Sequence, residues 1–144
     1  MLGDAVIARL RAGVPALAGR VEGAAELAAL QRQNQFPQVT PAAHVIPLGL
    51  SAASPTALAG NFRQEVDRRI GVILTVRTHD ATGSRALAGV DALVEAIVAA
   101  ISGWTPDPGS TGVFRLLRAE VAAMREGTLV WQIEFALADR IRSS

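Results

Sequence analysis

Phe62-Arg63-Gln64-Glu65-Val66-Asp67-Arg68-Arg69-Ile70-Gly71-Val72-Ile73-Leu74-Thr75-Val76-Arg77-Thr78 decides how this chain folds, because its residues sort by parity. Val66, Ile70, Val72, Leu74 and Val76 fall on one side; Arg63, Glu65, Asp67, Arg69, Thr75 and Arg77 fall on the other. Side chains of an extended strand alternate between its faces, so a period of two over this length predicts a long strand with one face buried. Arg68 interrupts the apolar side near its start, and Gly71 is expected to mark a bulge or bend.

Downstream, His79-Asp80-Ala81-Thr82-Gly83 is turn chemistry, and Ser84 is placed to cap a helix. Leu87, Val90, Val94, Ile97 and Ile101, joined by Leu93 and Val98, form a broad apolar stripe that stops at Gly103. This predicts the main core helix. Trp104 to Gly112 reads as a loop rich in Pro and Gly. Two strand-like runs follow, Val113 to Arg125 and Thr128 to Ile141, with Glu126-Gly127 between them as a hairpin turn. In the second run Leu129, Trp131, Ile133, Phe135, Leu137 and Ile141 alternate with Val130, Gln132, Glu134, Ala136, Ala138 and Arg140.

Upstream, Leu2, Val6, Leu10 and Val14 recur at helical spacing, with Asp4 early and Gly13 followed by Pro15 as a stop. A brief strand is expected around Val21, then a second helix over residues 24–32 with Leu27 and Leu30 toward the core. Residues 34–40 read as loop. His44, Val45 and Ile46 sit between Pro41 and Pro47, which predicts a short strand at a sheet edge. Residues 50–60 carry no charge and little bulk, so a mobile loop is expected, apolar enough to meet a partner. The fold class that follows is α/β in its α+β form: a mainly antiparallel sheet of four to five strands with helices packed on one face. Residues 1–144 are expected to make a single domain.

Composition narrows the function. The chain has 144 residues, 50% of them hydrophobic, but the aromatics amount to 4 Phe, 2 Trp and no Tyr. All 14 basic residues are Arg, set against 13 acids, so no strong field exists to draw in nucleic acid or an anionic membrane. Without Cys there is no disulfide, thiolate metal site or cysteine nucleophile. Asp4 and Arg9 interrupt what would be the apolar stretch of a signal peptide, and Asp91 and Glu95 break the greasiest window, so a soluble intracellular product is expected.

The search for site chemistry returns little. His44 and His79 lack the spacing that puts two metal ligands on one helical face, and each reads more simply as a packed and a turn residue. Gly49-Leu50-Ser51-Ala52-Ala53 fails as a nucleophile elbow at its last position. Gly109-Ser110-Thr111-Gly112 lacks the Lys of a phosphate loop and precedes a strand. Glu65 and Asp67 share a face and form a pair of carboxylates, but Arg63 and Arg69 beside them favour a charge ladder over acid/base work. No catalytic residue, cofactor or metal is therefore expected. The polar face, with Ile73, Val130, Ala136 and Ala138 among its charges, suits contact with another copy of the chain or plain solvation equally well.

Residues 41–49, then Gln64-Glu65-Val66 leading into Gly71-Val72-Ile73-Leu74-Thr75-Val76-Arg77, resemble the tail terminator proteins of long-tailed bacteriophages, prophages and gene transfer agents. The long Ala-rich helix ending near Gly103-Trp104 and the closing hairpin with Leu129-Val130-Trp131-Gln132-Ile133-Glu134-Phe135 continue the resemblance in the same order. It implies a structural virion protein and not an enzyme. Such a protein forms a hexameric ring on the head-proximal end of the tail tube, stops tube polymerisation and offers the surface for head-tail joining. The implied partners are further copies of the chain, the tail tube protein and the head-tail connector, with DNA passing through without specific binding and no membrane. Assembly would take place in the bacterial host cytoplasm. Candidate interface residues are Arg63, Glu65, Asp67, Arg69 and Arg77 on the polar strand face and the segment from Ser51 to Leu58. Two rival readings stand beside it: another head-tail neck or completion protein, and a small cytosolic enzyme or ligand-binding domain with a pocket between the main helix and the sheet.

Overall fold

The computed structural model describes residues 2–52, 56–58, 61–77, 84–108, 112–125 and 127–143. Among them the order is α1 (Leu2–Gly13), a 3-10 turn (Pro15–Leu17), β1 (Val21–Gly23), α2 (Ala24–Arg32), β2 (Ala42–Ala52), β3 (Thr56–Leu58), β4 (Asn61–Arg77), α3 (Ser84–Ile101), β5 (Phe114–Arg125) and β6 (Thr128–Ser143). The strands form one sheet in the order β1-β2-β4-β6-β5, with the three-residue β3 paired to the far end of β4. Every pairing is antiparallel except that of β1 with β2. The α+β class and the mainly antiparallel sheet are as the alternation predicts. His79 and the turn around it lie outside the described residues.

Alternation in β4 and β6 becomes a two-sided sheet because their register runs unbroken from Phe62↔Ser143 to Arg77↔Thr128. Ile70, Val72 and Leu74 meet Phe135, Ile133 and Trp131 on one face. There α1 supplies Val6 and Leu10, and α3 supplies Val90, Leu93, Val94, Ile97 and Ile101, to a common apolar cluster. Phe114 joins the cluster, stacked on Trp104 at 5.8 Å and edge-on to Phe135 at 6.5 Å. Arg9 of α1 closes the carboxyl end of α3: its Nε donates to the Ala100 carbonyl at 2.9 Å and its guanidinium lies over Trp104. A cation at a helix C-terminus satisfies carbonyls left without intrahelical partners.

Four local expectations change. The strand around His44, expected to be short and at a sheet edge, is the 11-residue β2, which lies inside the sheet because β1 pairs with it in parallel on the side away from β4. Gly71 carries no bulge; its register is continuous with both neighbours, and the irregularity lies in β2 at Leu48, between Pro47 and Gly49, across from Ile70 and Arg69. Leu48 and Ile46 fill the space beside Gly71, where a Cβ would stand 3.2 Å from Leu48. The segment expected as a loop from residue 50 is partly strand: Leu50, Ser51 and Ala52 pair with Arg68, Asp67 and Val66, and Thr56–Leu58 forms β3. The 17-residue β4 outruns the Pro-bounded part of β2, and its free backbone groups recruit whatever chain is adjacent. Finally, Leu27 and Leu30 do not enter the core; α2 has no buried residue. It sits at the β1 edge, where Ala29 and Leu30 line a groove with Ala42 and His44, residues of opposite parity to the core-facing Ala43 and Val45.

Candidate interaction surface

The strand face turned away from α1 and α3 is neither open nor uniformly polar. Ala42, His44, Thr75, Thr128, Glu134 and Ala136 are all buried there. At one end the segment after α2 runs beneath them: Arg77 donates to the Gln38 carbonyl at 2.9 Å and its N–H to the Thr40 hydroxyl, while the Arg125 guanidinium lies over Phe36. At the other end charged side chains cover the sheet. Asp67 holds Arg115 by two bonds, at 3.1 and 2.7 Å; Glu65 holds Arg140 at 2.7 Å; Glu134 holds Arg118 at 3.0 Å. Arg69 donates to the Leu48 carbonyl at 3.2 Å, leaving its Nε without a partner.

Each ladder rung has a reason in the register. Asp67 pairs with Ala138, Arg69 with Ala136 and Arg115 with Ala136, so small residues on β6 leave room for long side chains to lie across them. The Arg115 hydrogen bond holds the Asp67 carboxyl below its ordinary range, and Asp67 in turn raises Arg115. On the opposite face Arg68, which breaks the apolar row, is matched by Asp139 at 2.7 Å, both side chains being partly exposed. That bond, with the Arg140 N–H, lowers Asp139.

Of the sequence-derived candidates, Glu65, Asp67 and Ser51 come together around one shallow depression of about 270 Å³ with Ala52 and Ala138. Arg69 and Arg77 lie on the same face, bonded to backbone carbonyls of their own chain. The Arg63 and Leu58 side chains lie outside the described residues, though their backbones pair within the sheet. Ser51 is exposed and belongs to a strand end. His44 is buried, its Nδ1 unpartnered; burial lowers its pKa, against the pull of Glu22 and Glu26. Among the described residues no group of three or more His, Asp or Glu is arranged to hold a metal, and no helix is long and apolar enough to cross a membrane.

One feature escapes sequence inspection. Leu116, Val121 and Met124 on β5 are 41%, 46% and 73% exposed, although they pair with Phe135, Trp131 and Leu129 of the core-facing row. Register shifts between Leu116 and Arg118 and between Val121 and Ala123 break the period of two, so the row is illegible as an alternation.

The profile of the phage tail terminator protein family matches residues 3–144. This chain belongs to that family. Among solved structures, a chain of the virion of a native gene transfer agent particle shares the fold at a TM-score of 0.54, with 21% identity over 97% of this chain and 95% of that one. No curated protein matches the sequence. Membership in the terminator family makes the chain a structural protein of phage-type tails, as the resemblance implied.

Proposed function

We propose that this tail terminator family member caps the head-proximal end of the tail tube as a ring of copies, a hexamer by the resemblance above, acting as one domain over residues 1–144. The ring matches the last layer of tube subunits on one side and presents on the other a surface that tube protein cannot extend. Polymerisation therefore ends by occupancy, without covalent chemistry, cofactor or catalytic residue, and the same outer surface receives the head-tail connector. The observation that carries this reading is the family match over nearly the whole chain.

Copies and partners meet the chain through Arg63, Glu65, Asp67, Arg69 and Arg77 and through the stretch from Ser51 to Leu58. Several of these charges are already paired within the chain, so they act in contact as a preformed lattice of fixed polarity and contribute register more than affinity. DNA crosses the lumen without specific binding, in keeping with a net charge of +1. The ring is laid down on the tail in the bacterial host cytoplasm. Deleting the gene and viewing particles by electron microscopy tests the reading. Overlong tails unattached to heads are expected; tails of normal length joined to heads overturn it.

A further inference from the structure

Resting on the reading that copies meet across the polar face, we infer that α2 and the strap of residues 33–41 after it are a gate over the Arg77 end of that face: in the free chain they lift off the sheet together while the rest of the fold stays closed. Val21 and Ala42 are buried, yet not one of residues 22–41 between them is. α2 has nine residues, fewer than the ~12–15 at which a helix begins to hold by itself, and its Leu27 and Leu30 are only half-buried. A groove of about 380 Å³ remains between gate and sheet, with Leu30, Val39, Ala42 and His44 in its walls, so the two surfaces meet incompletely. A segment with so few buried contacts opens at lower cost than the strands it covers.

Arginines fasten the gate. Arg77 donates from its side chain to the Gln38 carbonyl at 2.9 Å and from its backbone N–H to the Thr40 hydroxyl at 3.1 Å, and the Arg125 guanidinium lies 5.7 Å from the Phe36 ring. Arg20 donates to the Pro41 carbonyl at 2.8 Å, and its own carbonyl accepts from the Ala43 N–H, so that tie sits at the root of the strap and serves as its hinge. Strap and helix move as one because the Gln35 N–H bonds the Leu30 carbonyl at 2.9 Å, with Asn34 at φ 54° making the turn between them. Closure carries a cost, since it helps bury His44 with its Nδ1 unpartnered. It also spends Arg77, a candidate contact residue, on the chain's own strap. Opening frees that guanidinium and bares His44, Thr75 and Thr128 at the end of the face where a second copy is to dock.

Hydrogen-exchange mass spectrometry on the dilute full-length protein tests the gate. Peptides covering α2 and the strap are expected to exchange at a common rate, about tenfold or more faster than the centres of β4 and β6 yet slower than unfolded chain. Arg77→Ala keeps the backbone N–H and removes the guanidinium, so it should speed the gate by about tenfold more than it speeds those strand centres. Arg115→Ala takes an arginine from the same face, one that bonds Asp67 instead, and should leave the ratio of gate to strand rates as it was. Gate amides as protected as the strands, or with no protection at all, overturn the inference, and so does an Arg77→Ala protein whose gate and strands speed up alike. The deletion phenotype tests capping separately: overlong tails together with a gate as protected as the sheet leave the cap standing and remove the gate.

Discussion

Removing the Arg118 guanidinium asks whether the face away from the helices is held by paired charges or merely decorated with them. Glu134 has a side chain 5% exposed and is bonded to Arg118, itself 58% exposed, at 3.0 Å and to the Gln132 amide at 2.8 Å. Stranding a fully buried charge costs about 3–5 kcal/mol, whereas an exposed pair contributes under about 1 kcal/mol. With one partner in each regime, and water able to reach the space Arg118 vacates, Arg118→Ala should cost about 2 kcal/mol, or about 6 °C in Tm for a chain of this size. Glu134→Gln removes the charge and keeps an acceptor for Gln132, so it should cost about 1 kcal/mol or less. The double variant strands nothing and should be more stable than Arg118→Ala alone, a coupling of about 1 kcal/mol or more. Urea unfolding of dilute protein, followed by Trp104 and Trp131 fluorescence, measures all four corners without a contribution from self-association. Strict additivity, or an Arg118→Ala protein as stable as the parent, refutes the argument.

Phe135→Ala should be far more damaging, about 3–5 kcal/mol, since its ring is fully buried against Phe114; equilibrium denaturation checks this. Gly112→Ala should cost about 1–3 kcal/mol by the same measurement, because the new Cβ would lie 2.8 Å from the Ala138 Cβ and 2.9 Å from its carbonyl oxygen. Acidification should weaken the fold in two windows. The folded pKa of His44 lies below its ordinary 6.5, so stability is full above that pH and falls as pH drops toward the lowered value; His44→Asn should flatten this window in Tm against pH. Asp67 and Asp139 are held below 3.8 by Arg115 and Arg68, so their contribution is complete above that pH and is lost on further acidification, and Asp67→Asn with Asp139→Asn should remove that second decline.

Much of the fold was legible because its long elements have clean periods. The alternation of Val66 to Val76 and of Leu129 to Leu137 names the two faces of the central pair, and Val90 to Ile101 names the covering stripe of α3. Short or interrupted elements were not legible. The bulge lies in β2 at Leu48, across from Ile70 and Arg69, and Leu48 and Ile46 fill the space beside Gly71; nothing local to Gly71 encodes those neighbours. The strand character of Leu50 to Ala52 comes from pairing with Arg68 to Val66 and not from its own composition. At the candidate surface the alternating charges of β4 could be read directly, but not their partners: Arg115 and Arg140 reach Asp67 and Glu65 from strands 48 and 75 residues away in the chain.

By itself, the sequence determined which residues share a side of each long strand and helix, since side-chain direction follows from backbone geometry within the element. It also determined that chemistry needing Cys is absent, and it carried the likeness to tail terminators. Which side is covered, and how far along, was decided only in three dimensions, because cover comes from elements distant in the chain. α3 meets β5, where Phe114 is buried, yet Leu116, Val121 and Met124 share the core's parity and meet solvent, while Glu134 and Ala136 share the polar parity yet are buried.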